Sequence, residues 1–184
     1  MTAAIDNFAR SLFDQAKAHL EASRNAKSAE PQAAYLHAAL LLGFCALEAH
    51  LSSIAEDFYT RADLTLLDQS ILLERKLELI NGEYQLLPNE LKMFRLEDRI
   101  EYLFAKFSTK PLETHSTYWG EFKLANKLRN KLTHPKTQPT INVSTVERAL
   151  KAILELLNAA HKGIYGAPYP IYNLGLNTAL VLSA

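Results

Sequence analysis

Within one stretch, Glu121–Pro135 (EFKLANKLRNKLTHP), stand Arg129, Asn130, Thr133 and His134. A guanidinium keeps its proton in any aqueous setting and offers a planar fork of donors that fits a phosphate. An imidazole titrates near neutrality and can take up or return a proton. Held together, the two could act on a phosphodiester, with Asn130 orienting the phosphate or the histidine. The same residues have a plainer use. Cations suit the negative end of a helix and bond its last carbonyls, each contributing about 0.3–1 kcal/mol. With eight arginines and six histidines in 184 residues, an Arg followed five residues later by a His arises by chance in roughly one of four such chains. Spacing alone therefore decides nothing, and the context has to.

That context begins with the helix that carries the motif. Phe122, Ala125, Leu128 and Leu132 recur at helical spacing and predict an inward stripe. Lys123, Lys127 and Lys131 stack at i, i+4, i+8 on another side, and Lys136 follows the helix end. These four lysines are the candidates for holding a nucleic-acid backbone. Pro135 disfavours the α conformation at the residue before it, so His134 is expected where the helix stops.

An earlier helix, about 32–59, has Leu40, Phe44, Leu47, Leu51, Ile54 and Phe58 along one side, which predicts the most buried element. Its second stripe is His37, Leu41, Cys45, Glu48 and Ser52. A carboxylate there is costly unless it is partly exposed or meets a cation. Glu48 is thus either a glutamate at the helix edge or the partner of Arg129.

Around these two helices the pattern predicts others over about 4–26, 63–80 and 96–108, then a loop over 109–118. Asn81-Gly82 and Pro88-Asn89 read as turns, with a loop or a scrap of strand between them. A ten-residue loop with two prolines follows the motif. Ser144-Thr-Val-Glu147 has capping-box spacing for a last helix, and Gly163 is placed to end it. The sum is an all-α bundle of five to six helices over residues 1–163. The remainder, 164–184, is a short extension expected to pack on the domain or on a neighbouring subunit.

Twenty basic and twenty acidic side chains cancel, so attraction to nucleic acid must come from a local patch. Cys45, in an apolar run, reads as a buried core thiol in a reducing compartment. The first residues do not read as a secretory signal, and the run Ala38–Leu47 is about half the ~20 residues of a membrane span, so a cytoplasmic protein without membrane contact is expected. His19, His37, His50, His115 and His161 form no metal-ligand spacing and no glycine-rich phosphate loop exists, so neither metal nor cofactor is expected. Tyr118-Trp119 could stack a base or simply pack.

At this point the chain resembles the HEPN superfamily of small helical proteins, many of them ribonucleases of toxin–antitoxin and defence systems. The family motif is Arg-X(4–6)-His, often with Asn straight after the Arg, and Arg129–His134 fits its shortest form. Gly43–Leu51 (GFCALEAHL) is similar to the family's earlier core helix with an embedded acidic residue, here Glu48. The resemblance implies a homodimer that brings two motifs into one cleft. It also implies metal-independent cleavage of RNA to a 2′,3′-cyclic phosphate and a 5′-OH, with Arg129, His134 and Asn130 at the centre and Glu48 and Thr133 in support. An antitoxin or other regulatory partner is implied as well. Some relatives carry a tyrosine two positions after the histidine, where this chain has Lys136. The competing readings are an inactive all-α dimeric interaction module and an RNA- or nucleotide-binding sensor of the same fold.

Overall fold

The computed structural model describes residues 2–136 and 139–182. Met1, two positions of the proline loop (Thr137 and Gln138), and Ser183 and Ala184 of the apolar tail lie outside the described residues. Six helices run in the order α1 (Thr2–Asn25), α2 (Ala29–Phe58), α3 (Leu66–Leu73), α4 (Leu96–Phe107), α5 (Thr117–Thr133) and α6 (Val143–Tyr165). Between α3 and α4 stands a hairpin of β1 (Arg75–Ile80) and β2 (Glu83–Leu91). The protein is a helical bundle, as the pattern predicts, with this small sheet added.

The long apolar run of α2 makes it the central element. Leu36, Leu40, Phe44, Leu47, Leu51 and Ile54 are all buried, and α1 and α6 pack along it. A methyl group on Gly43 would run into the Leu150 side chain of α6, so the glycine sets how closely those two helices approach. Among the described residues α2 is also the one helix long and apolar enough to cross a bilayer. The reading from Ala38–Leu47 understated it.

Several expectations need correction. Residues 63–80 are not one helix. α3 stops at Leu73, Glu74 adopts a left-handed conformation (φ 49°), and Arg75–Ile80 is strand because Leu77-Glu78-Leu79 alternates with period two. Asn81 and Gly82 both have positive φ (53° and 88°), the two-residue turn that joins twisted strands. Pro88-Asn89 is no turn but part of β2, beside a register irregularity. The last helix is capped by Asn142, whose Oδ1 accepts from the Thr145 amide, rather than by Ser144. It ends at Gly166 (φ 72°), not at Gly163, whose bare Cα lies against Ser108. Cys45 is exposed. Phe8 of α1 is 61% exposed, although the apolar spacing of that helix would turn it inward.

The tail folds back on its own chain. Tyr169 is buried and its amide donates to Asn158 Oδ1 (3.2 Å), while Lys17 Nζ donates to the Asn177 carbonyl (3.0 Å). α3 is tied down by Asp68. Burial alone would raise that carboxyl, but donors from Tyr102 Oη (2.7 Å), the Thr65 amide (2.8 Å) and Lys106 Nζ (3.1 Å) outweigh burial and hold it well below the usual carboxylate range.

Under Tyr169 lies a buried histidine. Its hydroxyl lies 2.5 Å from His50 Nε2, and the other ring nitrogen stands 3.7 Å from Asp6 Oδ1. Burial lowers the His50 imidazole from 6.5 to about 4, against partial opposition from the Asp6 carboxylate. His161, whose ring centroid is 6.4 Å away, is lowered by burial too. An unfolded chain binds these protons first, so stability is complete above about pH 6.5 and falls as pH drops towards 4. The His50 contribution to that loss is roughly 3 kcal/mol. Urea unfolding between pH 7.5 and 4 should show the decline. His50→Gln, which keeps an acceptor for Tyr169, should flatten most of it, and an unchanged slope in that variant would refute the assignment.

Candidate functional site

The motif helix α5 is aimed by its ends and by one aromatic stack. Ser116 caps it, with Oγ accepting from the Trp119 amide at 3.3 Å. Trp119 is buried and stacks on Phe122 at 5.1 Å between ring centroids, so it packs the core and is closed to a base. Phe122 in turn meets Phe44 of α2, 6.0 Å between centroids. One heptad further along, Arg129 places its guanidinium carbon 5.1 Å from the centre of the same Phe44 ring. Its Nη2 donates to Glu48 Oε1 at 2.7 Å. Both readings of Glu48 therefore hold: it pairs with Arg129, and its side chain stays 43% exposed.

Cys45, three residues before Glu48, is exposed on the outer side of α2. Desolvation by its neighbours, then the Glu48 carboxylate, push its thiol up, and Arg129 opposes the shift. Nothing here makes it a nucleophile.

Arg129 stands in the wall of an open groove of about 740 Å³ between α2, α4, α5 and the exit of the hairpin. The groove takes cations from Arg95 and Arg99 of the α4 side and from Lys123, Lys127 and Arg129 of α5. Against these five stand three carboxylates, Glu48, Glu74 and Glu97, which leaves a formal charge of +2. A neutral chain thus carries a locally positive concavity.

The predicted residues divide into two groups. Arg129, Asn130, Lys123, Lys127 and Glu48 line the groove. Lys131, Thr133, His134 and Lys136 are exposed at or beyond the helix end and do not line it. Five helical steps turn a side chain by about 140°, which separates His134 from Arg129 around the axis. Of the two motif residues, Arg129 lines the groove of its own subunit and His134 does not. Thr133 Oγ1 donates back to the carbonyls of Arg129 (3.2 Å) and Asn130 (3.3 Å), and the His134 amide closes the last turn on Asn130 O (3.0 Å). Thr133 thereby helps to finish the helix.

Other groove residues were not foreseen. Arg99 is 5% exposed, donating to Glu74 Oε2 (2.9 Å) and the Leu72 carbonyl (3.2 Å), with Ser52 Oγ at 3.4 Å. Burial lowers its pKa, and the carboxylates of Glu74 and Glu48 oppose that shift. Asn126 is buried and donates to Glu97 Oε1 (3.3 Å), joining α5 to α4. Their signal was available. Arg99 falls between Leu96, Ile100 and Leu103 on the apolar stripe of α4. Asn126 falls between Phe122 and Arg129 on that of α5. A polar residue at an inward position marks a wall that something polar must meet. Among the described residues no three His, Cys, Asp or Glu side chains gather as a metal-binding group.

Compared with known proteins, the chain matches no family model, no curated protein and no solved structure.

The two ion pairs of the groove should differ in weight. Glu48 and Arg129 are both partly solvated, so Glu48→Ala should cost about 1 kcal/mol or less. Arg99→Ala strips the donors from Glu74 and a buried carbonyl, and should cost roughly 3 kcal/mol. Denaturant unfolding of both variants checks this, and equal costs would contradict it.

Proposed function

We propose that the protein is a HEPN-like, metal-independent endoribonuclease that seats the scissile phosphate of RNA on Arg129. The observation that carries the reading is a guanidinium fixed by Phe44 and Glu48 at the wall of a positive groove. Among the described residues only its Nη2 donates to another side chain, while its Nε is buried without a partner, so the outer edge of the guanidinium remains for a ligand. Asn130, beside it, can donate to a phosphate oxygen, and Lys127 and Lys123 can hold neighbouring phosphates at a salt-dependent strength.

In the proposed reaction the ribose 2′-oxygen attacks the adjacent phosphorus as its proton passes to a base. The P–O5′ bond breaks with its electron pair on O5′, which is protonated by an acid. The products are a 2′,3′-cyclic phosphate and a 5′-OH. Arg129 stabilises the charge that grows on the non-bridging oxygens. His134 is the group suited to proton transfer, and since it does not line the groove beside its own Arg129, the reading takes it from a second copy. A two-fold pair does this without further sequence. In a cell such an enzyme would act as a toxin restrained by a regulatory protein.

A second reading is favoured by one feature of the hairpin. Leu79 and Tyr84 pair across the strands and are 58% and 61% exposed, with Leu91 and Met93 exposed further along. Such an apolar face suits a protein partner, and a module without activity would also use it.

Purified protein should cleave RNA in the presence of EDTA. Arg129→Ala and His134→Ala should each lower the rate by at least about 100-fold. Mixing and reassembling the two inactive variants should restore about a quarter of the activity, because half of the pairs regain one site that combines an intact Arg129 with an intact His134. Cleavage that survives in both variants rejects the reading, and a well-folded wild type that never cleaves RNA favours the interaction module.

A further inference from the structure

The α4 side of the groove differs in chemistry from the Arg129 side. Asn126 lies four residues before Asn130 on α5, about 6 Å along the axis. Its Nδ2 is committed to Glu97 Oε1, and its Oδ1 is buried without a donor. Glu97 Oε2 meets Arg95 at 3.6 Å, and that arginine side chain is 75% exposed. Glu97 thus keeps one oxygen on Asn126 and the other only loosely held by Arg95, in a groove whose overall charge favours an anion. The Phe94 ring lines the same wall.

A ligand that suits this arrangement carries a phosphate and a flat group with two adjacent N–H donors. Nucleotides read in single strands are stacked on aromatic or guanidinium planes and bonded along their Watson–Crick edges. Guanine alone among the four RNA bases places an imino N–H beside an amino N–H₂ on that edge. Adenine and cytosine set a lone-pair nitrogen next to their amino group, which a carboxylate repels. Uracil sets carbonyl oxygens on both sides of its single N–H.

We propose that Glu97 and Asn126, with Phe94 beside them, form a guanine-recognition subsite for the nucleotide whose 3′-phosphate sits on Arg129. The assignment rests on the ribonuclease reading for its substrate and extends it to a preference for cleavage on the 3′ side of G. Glu97 accepts from the base edge, and Asn126 holds Glu97 in place through Nδ2. Arg95, the loosely held partner of Glu97, moves aside into solvent.

The test is equilibrium binding of guanosine, adenosine, cytidine and uridine 3′-monophosphates to the wild type and to Glu97→Gln. It is run alongside mapping of cleavage sites on a mixed-sequence RNA. Glu97→Gln keeps the shape and swaps one acceptor for a donor, and a thermal melt confirms that it folds. The guanosine nucleotide should bind the wild type at least tenfold more tightly than the other three. Glu97→Gln should erase that difference while moving adenosine 3′-monophosphate binding by less than twofold. Equal binding of all four, or a guanosine preference that survives in Glu97→Gln, overturns the subsite. Cleavage at every base sinks the subsite and leaves the ribonuclease reading intact. Guanosine-selective binding without any cleavage upholds the subsite and sinks the ribonuclease reading.

Discussion

The ring of Phe44 is the fixed point from which the groove is built. It is buried on the central helix, receives Phe122 on one side and carries the Arg129 guanidinium 5.1 Å from its centre. A cation over a desolvated ring gains about 0.5–2 kcal/mol, a modest amount beside the burial of the ring itself. The larger effect is geometric. Glu48, one turn along from Phe44, holds the same guanidinium by Nη2. Ring and carboxylate together remove much of the freedom a long side chain would otherwise lose on meeting a ligand. Losing Phe44 would therefore disturb both the packing of α5 and the aim of its arginine.

Beneath that layer Arg99 does a different task. It is sunk among α2, α3 and α4, and its bonds to Glu74 and the Leu72 carbonyl tie the end of α3 to α4. Glu74 sits in the left-handed region, where a side chain is unfavourable by roughly 1–2 kcal/mol. The ion pair with Arg99 helps to hold it there. The groove thus has an inner floor of paired charge and an exposed outer rim formed by Lys127 and Arg95.

Much of this was legible from residue patterns. The inward stripe of α2, the extent of α4, the stop at Pro135 and the Glu48–Arg129 pairing all follow from periodicity and from the cost of an unpaired carboxylate near the core. The hairpin was also written in the sequence. Asn81-Gly82 after the alternating Leu77-Glu78-Leu79 is a strong hairpin signal, but helical spacing earlier in 63–80 extends the expected helix over the strand. Cys45 misled because an apolar neighbourhood in sequence is not one in space. It lies on the outer side of α2, while Phe44 and Ala46 face in. The separation of Arg129 from His134 was hidden for a related reason. Closeness along the chain says little about the direction of side chains once a helix turns between them, and the walls contributed by Glu74, Phe94 and Glu97 come from elements distant in sequence.

The hairpin is two-sided, and that has a consequence for assembly. On one face Leu77 pairs with Leu86 and Leu79 with Tyr84, while Lys76 is salt-bridged to Glu78 (2.8 Å) and Glu90 (3.0 Å). Charges of this kind blunt further stacking, and Pro88 deprives β2 of a backbone donor for strand addition. Two such hairpins could meet by their leucine sides and then have nothing adhesive left to offer a third. Association through this element would close on itself as a pair and stop short of a fibre.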